Sequence, residues 1–579
     1  MREATSVPAA RPMAGAGVAS AVLGPGLAGA FGFWWFVHWA GLRPLDPTNL
    51  SWLLNGEDWG WHLLGGLFFR NEPWGLPLGR IHAFVYPVGT TVGFTDSTPW
   101  VAAILKLWSP VLPEGFQYIG PWLALCFVAM GIAGALAAGA FTSSPWLQAI
   151  GGALFVTSPV LIARVGHEAL CAQWLLVVPI AMLVAPAPNP AAWRRAIGRT
   201  LLVSLLAAGI HPYLTAMVVL LSLALIWRLS LVDGLAPIPS AVGASLVLAL
   251  GVCAVFWLFG FLGGGTAYGS VGFGFYNSDL LALVNPRGQS RWLPDLPAAR
   301  PHYEGWAFLG TGVLALLAFV LLSLVLRRRE AAALPWRRAI PIFIASTLAA
   351  FFSFATEINF GRRTLVRLDA LYGPLLPVGE MFRATGRFMW IAHYALLAAA
   401  VLLCIRLWRG GVVAALALAG ALALQIADFS WRGSQVFSLP PIDAGLRSPA
   451  WRTLGSEYRH LALVPPQVAY VGGACEGEFP GQFRVPFAYL AYSQRMTIDA
   501  GTASRYDEAA VRQACVELQD RIRSGKLDDD TVYVPGPASL RALRASGAKV
   551  ICGRLDRWAV CVSNARRTRL ADELRLNPI

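Results

Sequence analysis

The chain is poor in charge and poorer still in lysine. Only 13% of its 579 residues are Asp, Glu, Lys or Arg, and the lysines are Lys106, Lys526 and Lys549 alone. The formal net charge of +14 is therefore almost entirely arginine. Several signatures are missing from the polar C-terminal region. It has no phosphate-binding glycine loop, no dinucleotide fingerprint and no zinc-ligand spacing. The chain has no convincing Asp-x-Asp and no clear internal repeat. Its long apolar runs lack ionisable residues at their middles, where a transporter pathway would place them. No cleavable signal is evident either. The run after Arg11 is long and lacks a small-residue cleavage site before Trp34-Trp35, so a signal anchor is expected.

What is present is apolar. Hydrophobic residues make up 56% of the chain, more than a soluble domain of this size would carry. A spanning helix needs about 20 mostly apolar residues. Apolar segments lie at 16–40, 119–141, 146–163, 169–187, 199–211, 213–229, 240–262, 306–326, 339–356, 389–405 and 411–428. The expectation is a polytopic α-helical membrane protein with about eleven spans. The segment around His211-Pro212-Tyr213 is the weakest, since Pro breaks a helix and one kinked span is the alternative. Arginine clusters decide between the two. Arg2, Arg11, Arg194, Arg195, Arg199, Arg228, Arg327, Arg328, Arg329, Arg337, Arg338, Arg406 and Arg409 all fall on one side only if that segment crosses twice. Excess Lys and Arg marks the cytoplasmic side, so arginine excess is not a nucleic-acid signal here. The N-terminus is expected inside. Loops 41–118, 263–305 and 357–388 and a small α/β domain at 431–579 are expected outside. The Ala, Gly, Arg and Pro bias points to a GC-rich bacterial genome, hence a bacterial inner membrane.

In the C-terminal region, strands are expected at His460–Val464, Val468–Val471 and Thr531–Val534. Helices are expected at Tyr506–Arg523 and Ser539–Ala545, and a hairpin at Lys549–Val562. Of the eight cysteines, Cys126, Cys171, Cys253 and Cys404 fall in apolar spans and act as small hydrophobes. Cys552 and Cys561 flank the hairpin and are expected to pair. Cys475 and Cys515 pair by elimination. Four free thiols are the alternative.

Polar groups cluster in the outer segments. Asn55-Gly56-Glu57-Asp58-Trp59-Gly60-Trp61-His62 packs two acids and an imidazole beside a span. On a helix Asp58 and His62 share a face at i,i+4, so His62 is expected to orient Asp58 as a general base. Glu57 is a reserve acid. The bland reading is that Asn55 or Asp58 caps the helix through Leu63–Phe69. In Thr95-Asp96-Ser97-Thr98-Pro99 the cap reading leads, with Asp96 or Ser97 before Pro. Asp96 as a second acid that touches the acceptor is the sharper reading. Arg164, His167, Glu168 and Gln173 crowd a turn between spans, and His211 is expected to join them from the next outer turn. His167 and Glu168 are two metal ligands without a third. The loop 263–305 holds Tyr268, Tyr276, Asn277, Asp279, Asn285, Arg287, Tyr303 and Glu304. Arg287 follows Asn285-Pro286 and could face a phosphate. Glu304 reads equally as a dipole-favoured acid at a helix start. Arg383 and Arg387 sit at i,i+4 at an outer helix edge. They read as a guanidinium fork for a lipid-linked phosphate or as headgroup contacts.

Together these features resemble the GT-C superfamily of membrane glycosyltransferases. The residues that carry the resemblance are Gly56, Asp58 and His62, the turn Ile210–Leu214, and Phe382–Phe388. The similarity is greatest to uncharacterised bacterial polytopic proteins, and Glu57 is an insertion in their Gly-Asp pattern. The resemblance implies a polyprenyl-phosphate sugar donor and Asp58 as the base. The acceptor would be a hydroxyl of an envelope glycan, lipid or protein. The leaving phosphate would be held by Arg383, Arg387 or Arg287. Asp96, His167, Glu168, His211 and Glu304 would line the acceptor side. No obligatory cofactor is expected, with a divalent metal as the alternative. The rival classes are a flippase for lipid-linked saccharides and a non-catalytic envelope-assembly protein.

Overall fold

The computed structural model describes residues 18–56, 58–185, 190–262, 273–374, 376–429, 435–468, 479–545 and 549–579. The first apolar segment forms α1 (Val18–Ala40). The long loop after it folds into α2 (Asp58–Asn71), α3 (Pro99–Leu107) and a two-residue ladder of β1 (Arg80–Ile81) with β2 (Thr90–Thr91). Then come α4 (Ile119–Gly139), α5 (Pro145–Val156), the turn α6 (Pro159–Ile162) and α7 (Trp174–Val184). α8 (Pro190–Ala208), α9 (Pro212–Trp227) and α10 (Ile238–Leu258) follow. α11 (Thr311–Leu326), the short α12 (Arg328–Ala332) and α13 (Trp336–Ser353) come next. A hairpin of β3 (Glu357–Phe360) and β4 (Arg363–Arg367) and two helical turns, α14 (Asp369–Tyr372) and α15 (Leu376–Gly379), precede α16 (Met389–Leu407) and α17 (Val412–Phe429).

Every apolar run expected to span contains a helix. Among the described residues, five helices are long and apolar enough to cross a membrane: Ile119–Gly139, Pro212–Val232, Ile238–Leu258, Thr385–Leu407 and Val412–Phe429. Shorter apolar helices lie at Pro145–Val156, Glu168–Val184 and Thr311–Leu326. The break at His211 is real. Pro212 opens α9, and the His211 ring accepts the Tyr213 N–H at 3.1 Å as an N-cap. Arg194, Arg195 and Arg199 lie inside α8 rather than in a loop, because that helix already begins at Pro190.

Small residues set the helix spacing. A Cβ on Gly32 would meet the Phe127 carbonyl oxygen at 2.3 Å, and one on Gly131 would meet that of Ala28 at 2.2 Å. α1 and α4 therefore touch backbone to backbone, as packed membrane helices do. Polar groups tie the helix ends. The buried Gln425 of α17 donates to the carbonyls of Thr157 and Leu309 and accepts the Gly312 N–H. Asp428 accepts from Ser290, Thr311 and the Arg291 N–H, which clamps the segment 290–311 onto α17.

The C-terminal region is an α/β domain. Its five-stranded sheet runs β10 (Val550–Leu555), β11 (Trp558–Ser563), β9 (Thr531–Pro535), β5 (His460–Val464), β7 (Thr497–Ile498). β5 is parallel to β7 and β9, and the remaining pairs are antiparallel. β6 (Gln467–Val468) pairs in parallel with β8 (Ala500–Gly501). Cys552 and Cys561 are register partners on β10 and β11 and are joined by a disulfide. Cys475, and with it the expected Cys475–Cys515 pairing, lies outside the described residues, as does the end of the strand expected at Val468–Val471. This domain touches the first long loop directly. Phe84 bridges to Ile498, the Tyr86 N–H donates to the Ile498 carbonyl, and the Ser504 N–H donates to that of Phe94.

Candidate active site

α2 and α3 are locked side by side before they present anything. The buried Lys106 ammonium donates to the carbonyls of Phe69 (2.9 Å) and Glu72 (2.8 Å), which caps the C-terminal end of α2. Ser97 Oγ donates to the His62 carbonyl at 2.6 Å, and Tyr118 Oη donates to that of Ser97 at 2.6 Å. Trp100 joins α3 to the end of α8, its indole N–H on the Leu205 carbonyl and its backbone N–H on that of Gly209. These bonds bring the 95–98 turn against His62 on one side and His211 on the other.

A cavity of about 460 Å³ opens there. Asp58, His62, Asp96, His167, His211, Tyr213, Tyr276, Glu304, Arg383, Arg387 and Arg505 all line it. Residues 58 to 505 of the sequence thus converge on one chamber.

Its acidic half differs from the expected arrangement. His62 does not orient Asp58. Its Nδ1 lies 2.7 Å from Glu168 Oε2 and its Nε2 lies 3.9 Å from Asp96 Oδ2. Asp58 sits in the first turn of α2, where its side chain leaves the helix end and meets His167 Nε2 at 3.4 Å. So His167 and Glu168, adjacent in sequence, serve different partners. Both nitrogens of His62 face carboxylates. Burial works against the imidazolium, but Glu168 outweighs it and pushes the pKa up to about 9. His211 accepts the Tyr213 N–H on Nδ1, so its proton sits on Nε2, which is 3.5 Å from Asp96 Oδ1. Asp96 therefore stands between two imidazoles. Its removal from bulk water raises its pKa above the ordinary range, against the pull of His62 and Arg387.

The cap reading of Asp96 fails. The N-cap of α3 is Thr98, whose side chain makes no capping bond, and Asp96 itself has φ +55°. A non-glycine residue in the left-handed region is strained, and such strain concentrates at functional positions. The Asn55 side-chain oxygen accepts the Trp59 indole N–H at 3.1 Å. Glu57 lies outside the described residues.

The basic half also departs from the sequence pattern. Arg383 and Arg387 form no helical fork. Residues 385–388 are a 3-10 turn, and α16 starts only at Met389. Arg383 lies over the Tyr276 ring at 4.7 Å and donates to its hydroxyl at 2.9 Å. Arg387 lies over the Tyr213 ring at 4.8 Å and pairs with Glu304 Oε2 at 3.0 Å. Glu304 is not a helix-start acid, since α11 begins at Thr311. Arg164 approaches the same Oε2 at 2.8 Å. Burial disfavours the Glu304 charge, yet Arg387 and Arg164 override it and hold the carboxyl below its usual range. Gly386 makes this pairing feasible: a Cβ there would lie 2.4 Å from Gly305 Cα. Arg287 does not line the cavity. It donates to the Ala299 carbonyl, with φ +48°.

A family model described as a domain of unknown function (DUF6311) matches residues 29–430, and one for the DUF6311 C-terminal domain matches residues 450–563. The chain belongs to the DUF6311 family. No curated protein matches it. In this member the two matched regions meet at the cavity, because Thr502, Ser504 and Arg505 belong to the second. Sequence reasoning missed these three. The available signal was their place in the loop between β8 and the helix that begins at Glu508.

Proposed function

We propose that this protein is an inverting membrane glycosyltransferase that takes its sugar from a polyprenyl-phosphate donor. One observation supports this above others: a single cavity gathers the carboxylates of Asp58, Asp96 and Glu304, the imidazoles of His62, His167 and His211, and the arginines, with apolar side chains of α9 and α10 (Val219, Val252, Phe256) in the same lining. That combination suits a substrate with a hydroxyl to deprotonate, a phosphate to hold and a hydrocarbon tail. The chain would cross a bacterial inner membrane about eleven times, with its N-terminus inside and the cavity and C-terminal domain outside.

In this reading Asp96 is the general base, in place of Asp58. It faces His62 and His211, and burial raises its pKa above the ordinary carboxylate range, which suits a proton acceptor. Asp96 takes the proton of the acceptor hydroxyl, whose oxygen attacks the anomeric carbon. The bond from that carbon to the phosphate oxygen breaks, and the electron pair leaves with the polyprenyl phosphate. Arg383 and Arg387 offset the growing charge. Glu304 and Arg164 fix Arg387 in place, and Asp58 with His167 lines the acceptor side.

The test is made in cells. Asp96→Asn and Arg383→Ala are expected to remove the surface glycan modification and to accumulate the lipid-linked sugar. A flippase would instead trap that lipid on the inner leaflet. Unchanged glycans in both variants would overturn the reading.

A further inference from the structure

The C-terminal domain contributes Thr502, Ser504 and Arg505 to the cavity lining. Its segment 502–505 is stitched to the first long loop at Ser504, whose N–H donates 2.7 Å to the Phe94 carbonyl, two residues before Asp96. Upstream, Ile498 is bound on both sides of its peptide, to Ala83 and Tyr86. These are backbone bonds, so the approach is fixed by the chain path and not by adaptable side chains. They bring Arg505 into the cavity lining. Its guanidinium donates to the Ser504 carbonyl at 2.6 Å and to the Met381 carbonyl at 3.3 Å, two residues from Arg383. Among the described residues Arg505 forms no ion pair; the Asp96 carboxylate acts on it only from beyond ion-pair distance.

Arg505, Arg383 and Arg387 thus line one chamber. Gathering guanidiniums costs Coulomb energy unless an anion sits among them. Glu304 answers Arg387 and Arg164, Arg383 lies on Tyr276, and Arg505 is left with carbonyl contacts and no ion pair among the described residues. We propose that Arg505 binds the phosphate headgroup of the substrate together with Arg383, so that the site is composite and the C-terminal domain supplies one of its phosphate ligands. This rests on the phosphate-bearing donor proposed above. It adds a residue and a domain to that site. It also gives the domain a role in commitment, because a phosphate seated on Arg505 and Arg383 ties the domain to the membrane region.

The experiment uses the full chain purified in a non-ionic detergent. Dodecyl phosphate and inorganic phosphate are the probes, and binding is read from the rise in melting temperature with probe concentration. Wild type is expected to bind dodecyl phosphate. Arg505→Ala and Arg383→Ala should each weaken that binding about tenfold, as loss of a charge-assisted contact does. Arg505→Lys should fall between, since it keeps the charge and loses the fork. Arg567→Ala, on an exposed side chain, should match wild type. Equal affinity for inorganic phosphate would still support the arginine pair and would make a free anion its ligand. Arg505→Ala binding like wild type while Arg383→Ala fails would overturn this inference and leave the transferase reading intact. Binding of neither probe by wild type would overturn both. Melting without probe checks that each variant is folded, and Arg505→Gln stands in if Arg505→Ala is not.

Discussion

Nδ1 of His62 lies 2.7 Å from Oε2 of Glu168, and both side chains are buried. The pair couples stability to pH. The His62 pKa is about 9 in the folded chain, against an ordinary 6.5. A raised pKa stabilises the folded state fully below the unfolded value and loses that effect as pH rises through the folded one. Thermal unfolding in detergent should therefore show stability falling between pH 6.5 and 9, by roughly 3 kcal/mol at most. His62→Gln should flatten that slope.

Gly386→Ala should damage the site without touching a charge. The added methyl would meet Gly305 Cα at 2.4 Å, so the two backbones must part. Overpacking of this kind costs about 1–3 kcal/mol. It also moves Arg387 away from Glu304. The expected outcome is a lower melting temperature together with weaker dodecyl phosphate binding. Loss of either property alone would not fit the close approach described.

Glu304 bonds to Arg164 and Arg387 through one oxygen. Glu304→Gln leaves two buried guanidiniums facing each other, and breaking a buried pair from one side costs about 3–5 kcal/mol. Arg164→Met added to Glu304→Gln should recover part of that loss. A double-mutant cycle should show coupling above about 1 kcal/mol. Additive effects would mean that the arginines do not share the carboxylate.

Much of this was legible in the sequence, and the division has a physical basis. Periodicity reads local structure, so the apolar runs became helices, and His460–Val464 and the Cys552–Cys561 hairpin were found where expected. The acids, histidines and arginines of the inter-helix segments were recognised as a set because charge is scarce in this chain. Their pairing was not legible. The i,i+4 rule tied His62 to Asp58, but Asp58 occupies the open first turn of α2, while the Glu168 turn is held nearby by the Trp122 indole on its carbonyl. Asp96 looked like a cap because Pro99 does begin a helix; the positive φ at Asp96 and Thr98 takes the turn out of the capping geometry, and its side chain lines the cavity instead. Arg505 had no distinguishing neighbour in a domain rich in arginine.

The Cys552–Cys561 disulfide carries a topological prediction. Disulfides persist in oxidising compartments. In intact spheroplasts a membrane-impermeant maleimide should label these two cysteines only after mild reduction. No labelling until the membrane is opened would place the domain inside and contradict the proposed orientation, whereas labelling of intact spheroplasts without a reductant would mean that the two cysteines are free thiols and would contradict the disulfide.

The central claim is tested most directly by turnover in proteoliposomes. Purified full-length protein would be supplied with a panel of polyprenyl-phosphate sugars and cell-envelope acceptors, and the release of polyprenyl phosphate followed by mass spectrometry. Wild type should release it from at least one donor, and Asp96→Asn should slow that release about 10²–10⁴-fold, the usual contribution of a general base. Release by Asp96→Asn at the wild-type rate would contradict the account.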